Sequence, residues 1–225
     1  MIKIAIDGPS GSGKSTLAKA LSKKLGYIYV DTGALYRTIA LYMLSSNTDL
    51  KDAEQIISKL PDIHLAMFHD DNGSQHVTLN DMDVGDTIRT SEVSAAASTV
   101  SAIPKVRAFL LDTQRNMAKT HNVIMDGRDI GTVIFPDADV KIFLTASEEC
   151  RAMRRYNELI ERGQSVTYEQ VLSEMNERDT QDSSRKIAPA KPADDAIILD
   201  TTGFEFEDSV NAILEIIKNK CGGSI

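Results

Sequence analysis

Gly8-Pro9-Ser10-Gly11-Ser12-Gly13-Lys14-Ser15 follows the apolar run Ile2-Lys3-Ile4-Ala5-Ile6-Asp7 and leads into Thr16-Leu17-Ala18-Lys19-Ala20-Leu21. A strand, a glycine-rich turn and a helix in that order make a cradle for a polyphosphate. The glycines let successive backbone N–H groups point inward, and the helix start adds partial positive charge. Lys14 reaches the outer phosphates, and the Ser15 hydroxyl is a ligand for Mg²⁺. Gly8, Pro9, Ser10, Gly11, Ser12, Gly13, Lys14, Ser15 and Thr16 are therefore the candidate residues for binding a nucleoside triphosphate.

Outward from this motif, Ile- and Val-rich runs recur at Ile2–Asp7, Tyr27–Asp31, Asn122–Asp126, Val140–Thr145 and Ala196–Asp200. They read as buried parallel strands. Helical spacing fills the intervals, first in Leu17, Ala20, Leu21 and Leu25, then in Leu35, Ile39, Leu41 and Tyr42. It recurs in Val106, Phe109 and Leu110 with Thr113 and Met117, and in a closing amphipathic helix near Phe206–Lys218. The alternation predicts an α/β fold with a doubly wound, five-stranded parallel sheet, its ligand site at the carboxyl ends of the strands. Asp7, Asp31 and Asp126 end three of those runs.

Between His64 and Val84 the rhythm changes to the alternating runs His64–Phe68 and His76–Leu79, joined by Asp70-Asp71-Asn72-Gly73-Ser74. Asn-Gly between such runs predicts a hairpin, hence a small antiparallel insert, read either as decoration or as a cover for a substrate. Ile187–Asp194 is a proline-punctuated connection, and the Cys-Gly-Gly-Ser-Ile tail is expected to fray.

The chain has 225 residues, 42% of them hydrophobic, and a formal charge of −8. That size supports one α/β domain, and the acidic balance argues against a nucleic-acid polymer as partner. No apolar run is long enough for a bilayer and no leader precedes the strand at Ile2, which predicts a cytoplasmic protein with no membrane partner. Cys150 and Cys221 lack CxxC spacing, and the four histidines lack paired-ligand spacing, so neither set suggests a metal site.

Residues for a second, anionic substrate follow the strands. Asp31-Thr32-Gly33-Ala34-Leu35-Tyr36-Arg37 is a second anion-compatible helix start, although Thr32 could be an ordinary N-cap and Arg37 a solvated helix residue. Asp126-Gly127-Arg128-Asp129 sits at a strand end, where Asp126 could hold Mg²⁺-bound water. Arg151, Arg154 and Arg155 fall on one helix, and Arg178, Asp179, Asp182 and Arg185 in or after another. Single arginines on helices are usually solvated, but a helix pair carrying this many could close over a phosphoryl group as a lid.

In these motifs, together with Ile88-Arg89-Thr90-Ser91-Glu92-Val93 and the continuation from Ile130 to Pro136, the chain resembles the nucleoside monophosphate kinases, and among them the bacterial cytidylate kinases. The resemblance spans nearly the whole chain. It implies a single P-loop kinase domain over 1–225, an acceptor-binding insert with its flanking helix at about 60–100, and an arginine-bearing lid at about 150–186. It implies that Thr32, Arg37, Arg128 and Arg185 hold the acceptor phosphate. Ser98, Arg107 and Asp129 would address cytosine, and Arg178 and Asp182 the ribose. Lys14, Arg151, Arg154 and Arg155 would be the catalytic cations, with Ser15 the Mg²⁺ ligand and Asp126 acting through water. The implied reaction is Mg²⁺-dependent transfer from ATP to CMP or dCMP by a monomer. Gln181 departs from relatives that carry a basic residue there. A P-loop kinase for AMP, shikimate or dephospho-coenzyme A, and a nucleotide-dependent switch, are the competing readings.

Overall fold

The computed structural model describes residues 1–70 and 73–222. β1 (Lys3–Asp7) runs into α1 (Lys14–Leu25), then β2 (Ile28–Asp31) and α2 (Thr32–Ser45). The short α3 (Ala53–Lys59) precedes β3 (Leu65–His69), β4 (Gln75–Leu79) and β5 (Met82–Asp83). α4 (Ser91–Ser101), α5 (Pro104–Asn116), β6 (Val123–Gly127) and β7 (Val140–Thr145) follow. The chain ends with α6 (Glu148–Glu161), α7 (Tyr168–Ser183), β8 (Ile197–Asp200) and α8 (Phe206–Cys221).

The five-stranded sheet is parallel, in the order β2-β6-β1-β7-β8. β1 is central and covered on both faces, which is why its sequence is continuously apolar rather than alternating. On one face Ile4, Ile6, Ile124 and Ile142 meet Leu17, Ala18 and Leu21 of α1 and Val210, Ile213 and Ile217 of α8. On the other, Ala5, Val30 and Met125 meet Ile130, Ile134 and Phe135. The chain leaves β1 toward β2 and later returns to β7 on the opposite side, so a crevice opens at the carboxyl end of β1.

β8 corrects the expectation of five buried strands. It is the sheet edge, alternates in burial, and leaves Ile198 62% exposed. The edge at β2 is covered differently: Gln75 Oε1 accepts from the Asp31 N–H at 2.7 Å, and His69 Nε2 lies 2.7 Å from the Tyr29 carbonyl oxygen. Side chains of the hairpin thus occupy groups that would otherwise invite another strand.

The antiparallel insert is present, with Leu65 opposite Leu79 and Phe68 opposite His76. The Asp71-Asn72 part of the expected turn lies outside the described residues. The insert also has a third strand, β5, reached through Asn80 and Asp81 at φ 49° and 67°. Those two left-handed residues make the tight hairpin turn that matches strand twist.

The insert and α2–α5 share a hydrophobic cluster built on Leu35, Ile39, Met43, Ile56, Val77 and Val100. α6 and α7 have a small cluster of their own: Ala152, Leu159, Val171 and Met175. Their starts are capped locally. The Ser147 hydroxyl accepts from the Cys150 N–H, and Thr167 and Gln170 form a reciprocal capping box. α8 extends through Cys221 and stops at Gly222 in a left-handed conformation, so of the expected frayed tail only 223–225 lies outside the described residues. No helix among the described residues is long and apolar enough to cross a membrane.

Candidate active site

The cradle between β1 and α1 is shaped by steric need. A Cβ on Gly8 would lie 2.1 Å from the Leu144 carbonyl oxygen, and one on Gly11, at φ +69°, would lie 2.6 Å from that of Arg151. Only glycine fits between β7 and α6 at these two points. The turn is braced from α7, where Asp179 Oδ1 accepts from the Ser10 N–H at 3.0 Å. Lys14 is 7% exposed and donates to the Pro9 carbonyl at 2.9 Å. Burial, helped by the Arg128 charge, lowers its pKa to about 7.

Parallel register sets Asp31 beside Asp126. The Ser15 hydroxyl donates to Asp126 Oδ2 at 2.5 Å, and the Tyr29 hydroxyl to Oδ1 at 3.1 Å. Burial and the neighbouring Asp31 push the Asp126 pKa up to about 6. A hydroxyl beside such a carboxylate is a hard-oxygen donor set and fits Mg²⁺.

Asp31, rather than Thr32, caps α2, accepting from the Ala34 N–H at 3.1 Å and from Arg37 at 2.8 Å. The Thr32 hydroxyl instead donates to the Asp126 carbonyl at 2.8 Å. Arg128 donates to Asp182 at 2.9 Å, and Arg185 pairs with the same carboxylate. Burial would raise the Asp182 pKa, but the charges of Arg128, Arg185 and Arg178 outweigh it and hold the group below its ordinary value. Arg107 forms a buried pair with Asp129 and lies over the Tyr36 ring, 5.4 Å from its centroid.

Thr32, Arg37, Ser98, Arg107, Arg128, Asp129, Arg178, Asp182 and Arg185 all line one cleft of about 310 Å³ with Gly11, Gly13, Lys14 and Ser15. Ser10, Thr16, Asp126 and Arg155 line it as well. Buried Nε atoms of Arg37, Arg178 and Arg185 have no hydrogen-bond partner among the described residues. Burial and the Arg128 charge lower the Arg178 pKa to about 10. Crowded, under-satisfied guanidinium groups are the signature of a place built for an anion.

Arg151 and Arg154 lie outside that cleft. Arg151 donates to the Ser10 carbonyl at 2.8 Å and pairs with Asp179; Arg154 donates to the Ser12 carbonyl at 3.3 Å and the Thr201 carbonyl at 3.0 Å. Both thus bond to carbonyls of the cradle turn, while Arg155 lines the cleft and donates to Glu158 at 2.8 Å. Gly8, Pro9 and Ser12 belong to the same turn but are not among the residues lining this cleft. Gln181 accepts from the Ser98 hydroxyl at 3.0 Å, so an amide bridges α7 to α4.

Sequence reasoning gave no individual role to Tyr29, Tyr36 or Arg89, and placed Asp179 only within the charged cluster of its helix. Tyr36 and Arg89 line the cleft and lie inside the quoted motifs, whereas the contacts of Tyr29 and Asp179 arise only from strand register and helix docking.

Comparison with known proteins shows the family. The family model for cytidylate kinase matches residues 4–219. Proteins named cytidylate kinase from Carboxydothermus hydrogenoformans and Thermosipho melanesiensis are each 48% identical over 219 residues, covering 97% of this chain and 98% of the relative. A solved structure from Eubacterium ventriosum, of a protein described as uncharacterized, has a TM-score of 0.54 at 12% identity, covering 97% of this chain and 99% of that one, which is a likeness of fold. With a phosphate cradle, a guanidinium-rich cleft and a family match over nearly its full length, the chain belongs to the cytidylate kinase family.

Proposed function

We propose that this protein transfers the terminal phosphoryl group of ATP to CMP or dCMP, giving ADP and CDP or dCDP. The observation that carries this reading is the buried Arg107–Asp129 pair in the same cleft as Lys14 and the under-satisfied arginines. Cytosine has an exocyclic amine that Asp129 can accept from, and a ring nitrogen and carbonyl that accept from Arg107 or Ser98. Uracil presents an oxygen where cytosine has the amine. Against Asp129 that leaves two acceptors face to face.

In this reading Thr32, Arg37, Arg128 and Arg185 grip the acceptor phosphate, and Arg178 and Asp182 the ribose. Asp182 already orients Arg128 and Arg185, which limits the entropy lost on binding. The N–H groups of the cradle and Lys14 hold the donor phosphates. Phosphoryl transfer passes through a loose transition state with charge on the moving oxygens, which in this reading Lys14 and Arg155, both lining the cleft, neutralise. Arg151 and Arg154 support this indirectly by fixing the cradle. Ser15 and Asp126 would hold Mg²⁺, which supplies further neutralisation of the polyphosphate. No general base is required, because a phosphate monoester with a second pKa of about 6 is mostly dianionic near neutrality. The α6–α7 pair serves as the lid that excludes water, and the insert with α4 as the acceptor module. The proposal extends to a monomeric cytoplasmic enzyme.

The test is a coupled ADP-release assay with Mg²⁺-ATP and CMP, dCMP, UMP and AMP in parallel. Preferential turnover of CMP and dCMP supports the reading. ADP release without phosphorylation of any acceptor, or a preference for AMP, refutes it.

A further inference from the structure

Asp7 ends β1 and directly precedes Gly8, so its place in the chain suggests service to the donor cradle. Its side chain points elsewhere. Oδ1 accepts from the Ile130 N–H at 2.8 Å and Oδ2 from the Gly131 N–H at 2.8 Å. These amides are the first two after Asp129. They open a single wide turn, Ile130–Ile134, which the Phe135 N–H closes on the Ile130 carbonyl at 2.7 Å.

Asp7 is 4% exposed, and among the described residues its hydrogen-bond donors are those two backbone amides. Burial drives its pKa up to about 7, against the two backbone donors that lower it. A carboxylate kept in so dry a place is there for those two amides. Asp129 itself has φ −147° and ψ 27°, and its side chain does not cap the turn, being engaged with Arg107. The position of Asp129 is therefore held at two points: Arg107 at the carboxylate and Asp7 at the backbone just beyond.

We infer that Asp7 is a positioning residue for recognition of the acceptor base, fixing the Arg128–Asp129 segment through the amides of Ile130 and Gly131. The inference rests on the proposed role of Asp129. It also makes one residue the join between the two substrate sites, because the backbone of Asp7 continues into the cradle while its carboxylate sets the acceptor segment.

The experiment is Asp7→Asn, assayed for KM of ATP, KM of CMP, and kcat/KM for CMP against UMP. The carboxamide keeps the shape but turns an NH₂ toward one of the two N–H donors. Loss of one buried hydrogen bond of this type corresponds to about tenfold. The expected result is a rise of about tenfold in KM for CMP and an equal fall in the CMP/UMP ratio, with KM for ATP unchanged. Gly131→Ala reaches the same contact from the other side. Its added Cβ would lie 3.4 Å from Asp7 Oδ2 and 3.2 Å from the Lys141 stem, so a smaller change in the same direction is expected. That variant decides the matter if Asp7→Asn does not fold.

A raised KM for ATP with intact acceptor constants overturns the inference, as does an equal loss of kcat for every acceptor at an unchanged CMP/UMP ratio. Asp129→Asn run in parallel separates the two claims. If it loses discrimination while the Asp7 and Gly131 variants keep it, the positioning role alone fails; if it keeps discrimination, the reading of Asp129 fails first.

Discussion

Asp129→Asn changes one atom of the pair proposed to read the base and nothing of its size. In the wild type the Asp129 carboxylate faces Arg107, and both side chains are almost fully buried. The carboxamide can still accept from Arg107 through its oxygen. Its nitrogen then becomes a donor where cytosine also presents a donor, so CMP loses one hydrogen bond to a charged acceptor. Such a bond contributes about 1.5–3 kcal/mol, or roughly 10- to 150-fold in kcat/KM. UMP gains where CMP loses, because its carbonyl oxygen now meets an N–H. The CMP/UMP ratio should therefore fall by about 10²-fold or more, with most of the change in acceptor kcat/KM. KM for ATP should stay constant. Weakening a buried ion pair also lowers stability by about 1–3 kcal/mol, so urea unfolding must show that the variant is folded at the assay temperature. The decisive measurement is the ratio of kcat/KM for CMP and UMP in one coupled assay. A folded variant whose turnover falls equally for both nucleotides would refute the assignment of Asp129 to the base.

Lys14→Ala should lower kcat by about 10²- to 10³-fold with little loss of thermal stability, since among the described residues the amine hydrogen-bonds the Pro9 carbonyl alone; normal turnover in a folded variant would count against its role. Asp182→Ala leaves Arg128 and Arg185 without their shared carboxylate and should destabilise by about 3–5 kcal/mol in urea unfolding, alongside a raised KM for the acceptor. Proton NMR of His76 should give a titration midpoint above its ordinary value, because Asp83 and then Asp70 hydrogen-bond the ring. The stability this pairing contributes is complete below the unfolded-state pKa and is lost as pH rises through the raised folded value. Asp83→Asn should lower the midpoint, and no change on that substitution would rule out the pair.

What could be read from the chain was whatever depends on near neighbours in sequence. The Gly8–Ser15 turn carries its steric requirement in its own glycines, and the β1 run shows continuous apolarity because that strand is covered on both faces. The insert was legible through alternation in His64–Phe68 and His76–Leu79. β5 was not, being two residues long and defined by pairing to β4. The edge status of β8 was likewise hidden, since Ile197 to Asp200 reads the same whether one face or two are covered.

The amino-acid sequence by itself determined the phosphate cradle, the succession of the five parallel strands and the hairpin along the chain, and the residue types gathered for two anionic substrates, because each of these follows from local spacing and backbone chemistry. Only the tertiary structure decided which charges meet. Arg151 and Arg154 bond to carbonyls of the cradle turn while Arg155 lines the cleft, although all three share one helix. Asp179 braces Ser10, and Asp7 reaches across more than a hundred residues to Ile130 and Gly131. The physical reason is that a side chain's partner is set by helix docking and strand register, which bring distant segments within hydrogen-bond reach and leave no trace in the spacing of either segment alone.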